Sequence, residues 1–196
     1  MDYGILDPTL TTVICKFVAP TKIINNSPSF VSDSVSLRRH AVSQKAQRWE
    51  ILTNLMPENS SRDFFVHNTI HGNTGTFKIR MPQPYGLSAE IPATSFVATG
   101  TRGSMNITVS GFGTIPAGSF VTFAGHSKVY TLTSPAKSGA STVFPPLFES
   151  LSSATLNYKH EEVFMECSYD LDTSLGITYV DGILSDPGQI KLIERI

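Results

Sequence analysis

His67 and His71 stand four residues apart in "RDFFVHNTIHG". On a helix that spacing places both imidazoles on one face, where they can reach a single metal ion. Zinc-dependent hydrolysis asks for more: in H-E-x-x-H the glutamate is the general base, and Asn68 stands where an acid would be needed. No third ligand accompanies the pair, so it reads as a helix face meeting solvent or a partner. A second candidate is "PAGSFVTFAGHSKVYTLTSP" (116–135), where Gly125, His126 and Ser127 lie between two runs rich in aromatic and β-branched residues. A catalytic histidine needs an orienting acid and a nucleophile, and "GHS" has neither a neighbouring acid nor the G-x-S-x-G elbow. It reads as a short hairpin connection with His126 at an exposed tip.

The remaining candidates are weaker. The glycines of "TGTRGS" (99–104) and "GFGTIPAG" (111–118) form neither a Walker A motif nor a G-x-G-x-x-G turn, and no helix is predicted after them to hold phosphate. Asp170, Asp172, Asp181 and Asp186 lack the spacing of a calcium loop and sit in turn-like sequence. Phe120, Phe123, Tyr130, Phe144 and Phe148 offer aromatic surface. Of these, Phe120, Tyr130 and Phe144 are the candidates for stacking on a glycan, against a stronger reading as core. No catalytic, metal-binding or cofactor-binding set emerges, and the sequence reads as a non-enzyme whose business is assembly or binding.

The chain of 196 residues is long enough to bury a proper core. Only 16% of its residues are charged, and the net charge is −1. That balance argues against a basic surface that grips nucleic acid or anionic membrane. No apolar run reaches the length of a membrane helix, and the opening "MDYGILDPTL" lacks a signal-peptide pattern. Folding in a cytoplasm is therefore expected. Cys15 and Cys167, both in strand-like runs, are expected as buried thiols.

Period-two alternation dominates, which predicts a mainly β protein. The first ten residues read as a loose arm, and "TTVICKFV" (11–18) as a strand ended by Ala19-Pro20. "FVSDSVSL" (30–37) and "QRWEIL" (47–52) follow, the latter with Trp49 and Ile51 on one face and Arg48 and Glu50 on the other. One short helix, about 60–71, starts at Ser60 as N-cap and stops at Gly72, with Phe64, Phe65, Val66 and Ile70 as its apolar contacts. "TFKIRMPQP" resumes as a strand. Between Tyr85 and about His160 the texture changes to six short strand-like runs between glycine-rich turns. Afterwards "EEVFMECSYDL" alternates with Val163, Met165, Cys167, Tyr169 and Leu171 on one face, and "LGITYVDGIL" and "GQIKLIERI" close the chain as strands. The expected organisation is a discontinuous β-sandwich or split-barrel domain, 1–84 plus 162–196, interrupted at 85–161 by a small OB-like β-barrel.

Segments of this sequence resemble phage distal tail proteins, especially those of T-odd-like siphophages. "SVSLRRHAVSQKAQRWEI", "DFF" and "GTFKIRMPQ" resemble their opening domain; "IPAGSFVTFAGHSKVYTLT" followed by "FPPLF" is similar to their inserted OB-like domain; "YDLDTSLGITYVDGILSDPGQIKLIERI" resembles their closing strands. The order of these segments carries the likeness, over about three-quarters of the chain. The resemblance implies a homo-hexameric ring that joins the tail tube protein to tail-tip or baseplate hub proteins. Its channel would pass DNA without specific binding, and the ring would be assembled in the host cytoplasm and reside in the virion. No membrane insertion, cofactor or catalytic residue is implied. By that likeness the outer domain builds the ring through its sheet edges and the helix, while the insert projects outward. The alternative reading is a carbohydrate-binding module contacting host-surface glycans through the inserted barrel.

Overall fold

The computed structural model describes residues 3–7, 9, 12–33, 39–43, 46–57, 61–72, 74–83, 95–159, 161–170, 178–180, 183–186 and 188–196. With strands numbered in chain order, one closed antiparallel barrel runs β1 (Gly4–Leu6), β2 (Val13–Asn26), β5 (Arg48–Pro57), β16 (Gln189–Glu194), β13 (Phe164–Tyr169) and β6 (Phe77–Arg80), and returns to β1. A second closed barrel runs β7 (Phe96–Gly100), β8 (Asn106–Ser110), β11 (Gly139–Phe144), β10 (Tyr130–Leu132), β9 (Phe120–Phe123) and β12 (Leu151–Asn157). The first barrel draws on both ends of the chain, the second on one continuous stretch. Two hairpins stand outside them: β3 (Ser29–Asp33) with β4 (Arg39–Ser43), and β14 (Thr178–Val180) with β15 (Ile183–Asp186). The protein is thus mainly β, with the one helix α1 (Ser61–His71) among the described residues.

Alternation in the sequence becomes inside and outside in each barrel. Trp49, Ile51, Leu55, Phe77, Ile79, Met165, Cys167, Tyr169 and Leu192 fill the first. Phe96, Ile107, Val109, Val121, Tyr130, Leu132, Val143 and Leu156 fill the second. Fully burying an Ile or Leu contributes about 1.5–3 kcal/mol, and closure leaves neither barrel with an unpaired edge.

Several expectations are corrected. The first residues are not a loose arm: Ile5 is wholly buried, and Gly4–Leu6 closes the barrel between β2 and β6. Closure needs glycine here, because a Cβ on Gly4 would lie 1.9 Å from the Cys15 carbonyl oxygen. Ala19-Pro20, a cis peptide, does not end β2. The strand pairs with β5 on both sides of that point, and the register shift between Val18 and Lys22 absorbs the N–H that proline lacks. "LGITYVDGIL" is a hairpin rather than one strand, as the Asp-Gly between its halves favours. Of "FVSDSVSL", residues 30–33 are strand and 34–37 lie outside the described residues. So do Ser60, Leu171, Asp172, Asp181 and the proposed boundary at 84–85.

The helix departs most from expectation. Val66 and Ile70 are exposed (47% and 70%), whereas Phe64 and His67 are buried. The inward stripe is Phe64 and His67, both buried, with half-buried His71, at i, i+3 and i+7. Imidazole edges there pack on aromatic rings: His67 lies 4.7 Å from Phe77, 6.4 Å from Tyr169 and 4.4 Å from His71, between ring centroids. Of the expected apolar contacts Phe64 is buried, while Val66 and Ile70 face outward. Glu50, expected outward, is also buried, because Arg48, Lys191 and Asn26 cover its carboxylate.

Candidate functional site

The β9–β10 turn that holds "GHS" is exposed at Ala124, Gly125 and Ser127, but the two residues after it, Lys128 and Val129, are buried and dock the second barrel on the first. Gly125 supplies the positive φ of the turn (87°). Lys128 then enters the seam with its side chain only 3% exposed. Its ammonium donates to the Gln47 carbonyl at 2.8 Å and to the Glu194 carboxylate. Glu194, on the final strand, also accepts the Val129 N–H and the Trp49 N–H, each at 2.9 Å. The Trp49 indole N–H completes the circuit on the Val129 carbonyl at 3.0 Å. Burial pushes the Lys128 ammonium below its ordinary pKa, and Glu194 pulls it back upward. One carboxylate thereby satisfies three buried donors from two separated segments, the arrangement a buried charge requires.

A second clasp lies beside it. Gln83 lends its carboxamide to the backbone of Phe120: its oxygen accepts the Phe120 N–H at 3.1 Å, and its nitrogen donates to the Phe120 carbonyl at 3.0 Å. The side chain thus stands in for a neighbouring strand. Phe120 and Val129 belong to the packing core of the first barrel, with the Phe120 ring edge-on to Trp49 at 5.0 Å. The seam is consequently apolar in its middle and fully hydrogen-bonded at its charged group.

This placement decides the aromatic candidates. Phe120 (5% exposed) and Tyr130 (0%) present no free ring face, and Phe144 is half-buried. Tyr130 accepts the Phe148 N–H at 3.0 Å on its hydroxyl, as a buried tyrosine needs a polar partner. Phe123 is buried too, which leaves Phe112 and Phe148 as the exposed phenylalanines of that barrel. The His126 side chain is 8% exposed, not at an open tip. The fold brings Glu149 to 3.9 Å from its Nε2, too far for a hydrogen bond. His67 and His71 come together, yet among the described residues no three His, Cys, Asp or Glu side chains are placed to hold a metal ion. Nor is any described helix long and apolar enough to cross a membrane.

Cys15 and Cys167 are free and buried. Burial alone pushes the Cys15 thiol up to about 12, and burial with nearby Glu166 and Glu194 pushes Cys167 up as well. The thiolate is the nucleophile, so both should be inert in the folded protein. A chromogenic disulfide reagent should titrate neither thiol at neutral pH and both after denaturation; a fast native reaction would show that the barrel opens.

Sequence reasoning missed Lys128, Glu194, Gln83 and Trp49 as a set. The sole signal was chemical: lysine in an otherwise apolar strand entry, and glutamate at an inward position of "QIKLIE". The fold and seam define a mainly β protein of two barrels locked together by a buried charged network. No protein-family model matches the chain, and no curated protein matches it significantly.

Proposed function

We propose that the chain is a structural adaptor of the phage distal-tail type, forming a homo-hexameric ring between tail tube and tail tip around a channel for DNA. The observation that carries this reading is the set of exposed aliphatic side chains on the helix and on the β2–β5 wall of the first barrel. Val66 and Ile70 lie one helical turn apart on the outer face of α1, which packs against β2 and β5. On those strands Lys16 faces Met56, so Val18 and Met56 are diagonal neighbours on one face; they are 36% and 61% exposed. Exposed aliphatic residues on a barrel without open edges favour association through side chains. The order of the distal-tail-like sequence segments supports the same reading, as does the seam, which gives each protomer a rigid second barrel.

Light scattering on the purified chain, alone and with tail tube protein, should find a species about six times the 21.3 kDa protomer. A strict monomer at every concentration under both conditions would overturn the proposal. Ile70→Asp, on an exposed position, should leave the thermal midpoint unchanged. It should weaken assembly by about 2 kcal/mol per interface, the scale of an aliphatic side chain withdrawn from a contact.

A further inference from the structure

A cleft of about 390 Å³ opens along the seam, opposite in character to the apolar clasp. Its floor on the first barrel is the outer face of β6 and β13, carrying Lys78, Phe164 and Glu166; the second barrel contributes His126 and Asn157, and the connection between barrels Glu162. Glu162 is already paired with Lys159 at 3.3 Å. Lys78 and Glu166 stand directly opposite each other in the β6–β13 register, yet among the described residues neither makes an ion pair or side-chain hydrogen bond. The His126 side chain is more than nine-tenths buried, and its Nδ1 is shielded without a hydrogen-bond partner.

The wall chemistry selects the ligand. A free anion would face Glu162 and Glu166, and a free cation would face Lys78; either leaves a like charge beside it. Hydroxyl groups do not have this conflict, because each can donate to a carboxylate and accept from an ammonium, amide or imidazole N–H. The half-buried ring of Phe164 adds an apolar wall for C–H groups, and the volume falls in the range of small-molecule sites. We infer that the inter-barrel cleft binds a neutral polyhydroxylated molecule of mono- or disaccharide size, held by Lys78 and Glu166 beside the His126 ring. The site is distinct from the ring surface and belongs to a single chain, so it stands or falls separately from assembly.

Saturation-transfer NMR tests it on the full chain with galactose, N-acetylglucosamine and maltose as probes, and with phosphate and glycine followed by amide shifts as charged controls. At least one saccharide should receive transferred saturation. Glu166→Gln and Lys78→Gln, surface changes whose folding is checked by an unaltered melting midpoint, should each weaken binding about tenfold, the loss of one hydrogen bond to a charged group. Phe148→Ala, outside the cleft, should leave it unchanged. Absence of transfer from all three saccharides would overturn the assignment. So would transfer undiminished in Glu166→Gln, or cleft shifts caused only by phosphate or glycine.

Discussion

Glu194→Gln should destabilise the protein by about 3–5 kcal/mol, the cost of leaving a buried charge without its partner. The side chain keeps its shape, so the loss isolates charge from packing. In the native seam the Glu194 carboxylate accepts from Lys128, Val129 and Trp49. A carboxamide accepts on one atom only and turns an N–H toward donors on the other. Lys128, buried against Gln47 and the first barrel, then loses the one negative charge that offsets its desolvation. Its folded pKa falls further below the unfolded value. The unfolded state therefore binds more protons, and the variant should regain stability as pH rises from neutral toward the unfolded lysine pKa. Chemical denaturation at neutral pH and at high pH reads both effects. A loss below about 1 kcal/mol, typical of an exposed pair, would mean that solvent reaches the seam. Lys128→Met should cost less than Glu194→Gln, because Glu194 keeps its two backbone donors.

Acid should weaken the protein through His67. Burial, followed by the like charge of His71, holds its folded pKa down at about 4, against 6.5 for a solvated imidazole. Above 6.5 both states are neutral at this site and it contributes no pH dependence. As pH falls from 6.5 toward 4 the unfolded chain takes up a proton that the folded one refuses, so stability drops by a total of about 3 kcal/mol. Among the described residues, the titratable groups packed on the His67 ring are His71 on the same helix and Tyr169 on β13, and neither offers a negative charge at these pH values. His67→Phe should flatten the stability profile over this window while keeping the aromatic packing on Phe77. A profile unchanged by that substitution would place the acid sensitivity elsewhere.

Both effects arise at residues whose role in the sequence looked different. Lys128 and Glu194 carried no assigned role in the sequence, and His67 read as part of a helix face meeting solvent or a partner. The aromatic set shows the same displacement: Phe120 belongs by sequence to the insert but packs in the core of the first barrel, against Trp49. Local patterns report which face of an element is apolar when that face is built from aliphatic residues. They miss a face built from Phe64, His67 and His71, because imidazole buries readily only where ring partners await it.

Sequence alone determined the mainly β character, a short helix close to its bounds, the inward faces of "QRWEIL" and "EEVFMECSY", and two buried thiols. Each of these is a local consequence of side-chain period, capping chemistry or the burial preference of cysteine. Tertiary structure alone decided that the opening Gly4–Leu6 closes a barrel, that β2 runs on through Ala19-Pro20, and that Lys128 and Val129 after "GHS" dock the two barrels. It also brought Lys128 to Glu194 across 66 positions, and Glu194 to Trp49 across 145. Strand pairing and seam chemistry of this kind depend on which distant segments meet in space. No periodicity within a segment encodes that meeting, because the free energy of a buried charge is set by its partners rather than by its neighbours in the chain.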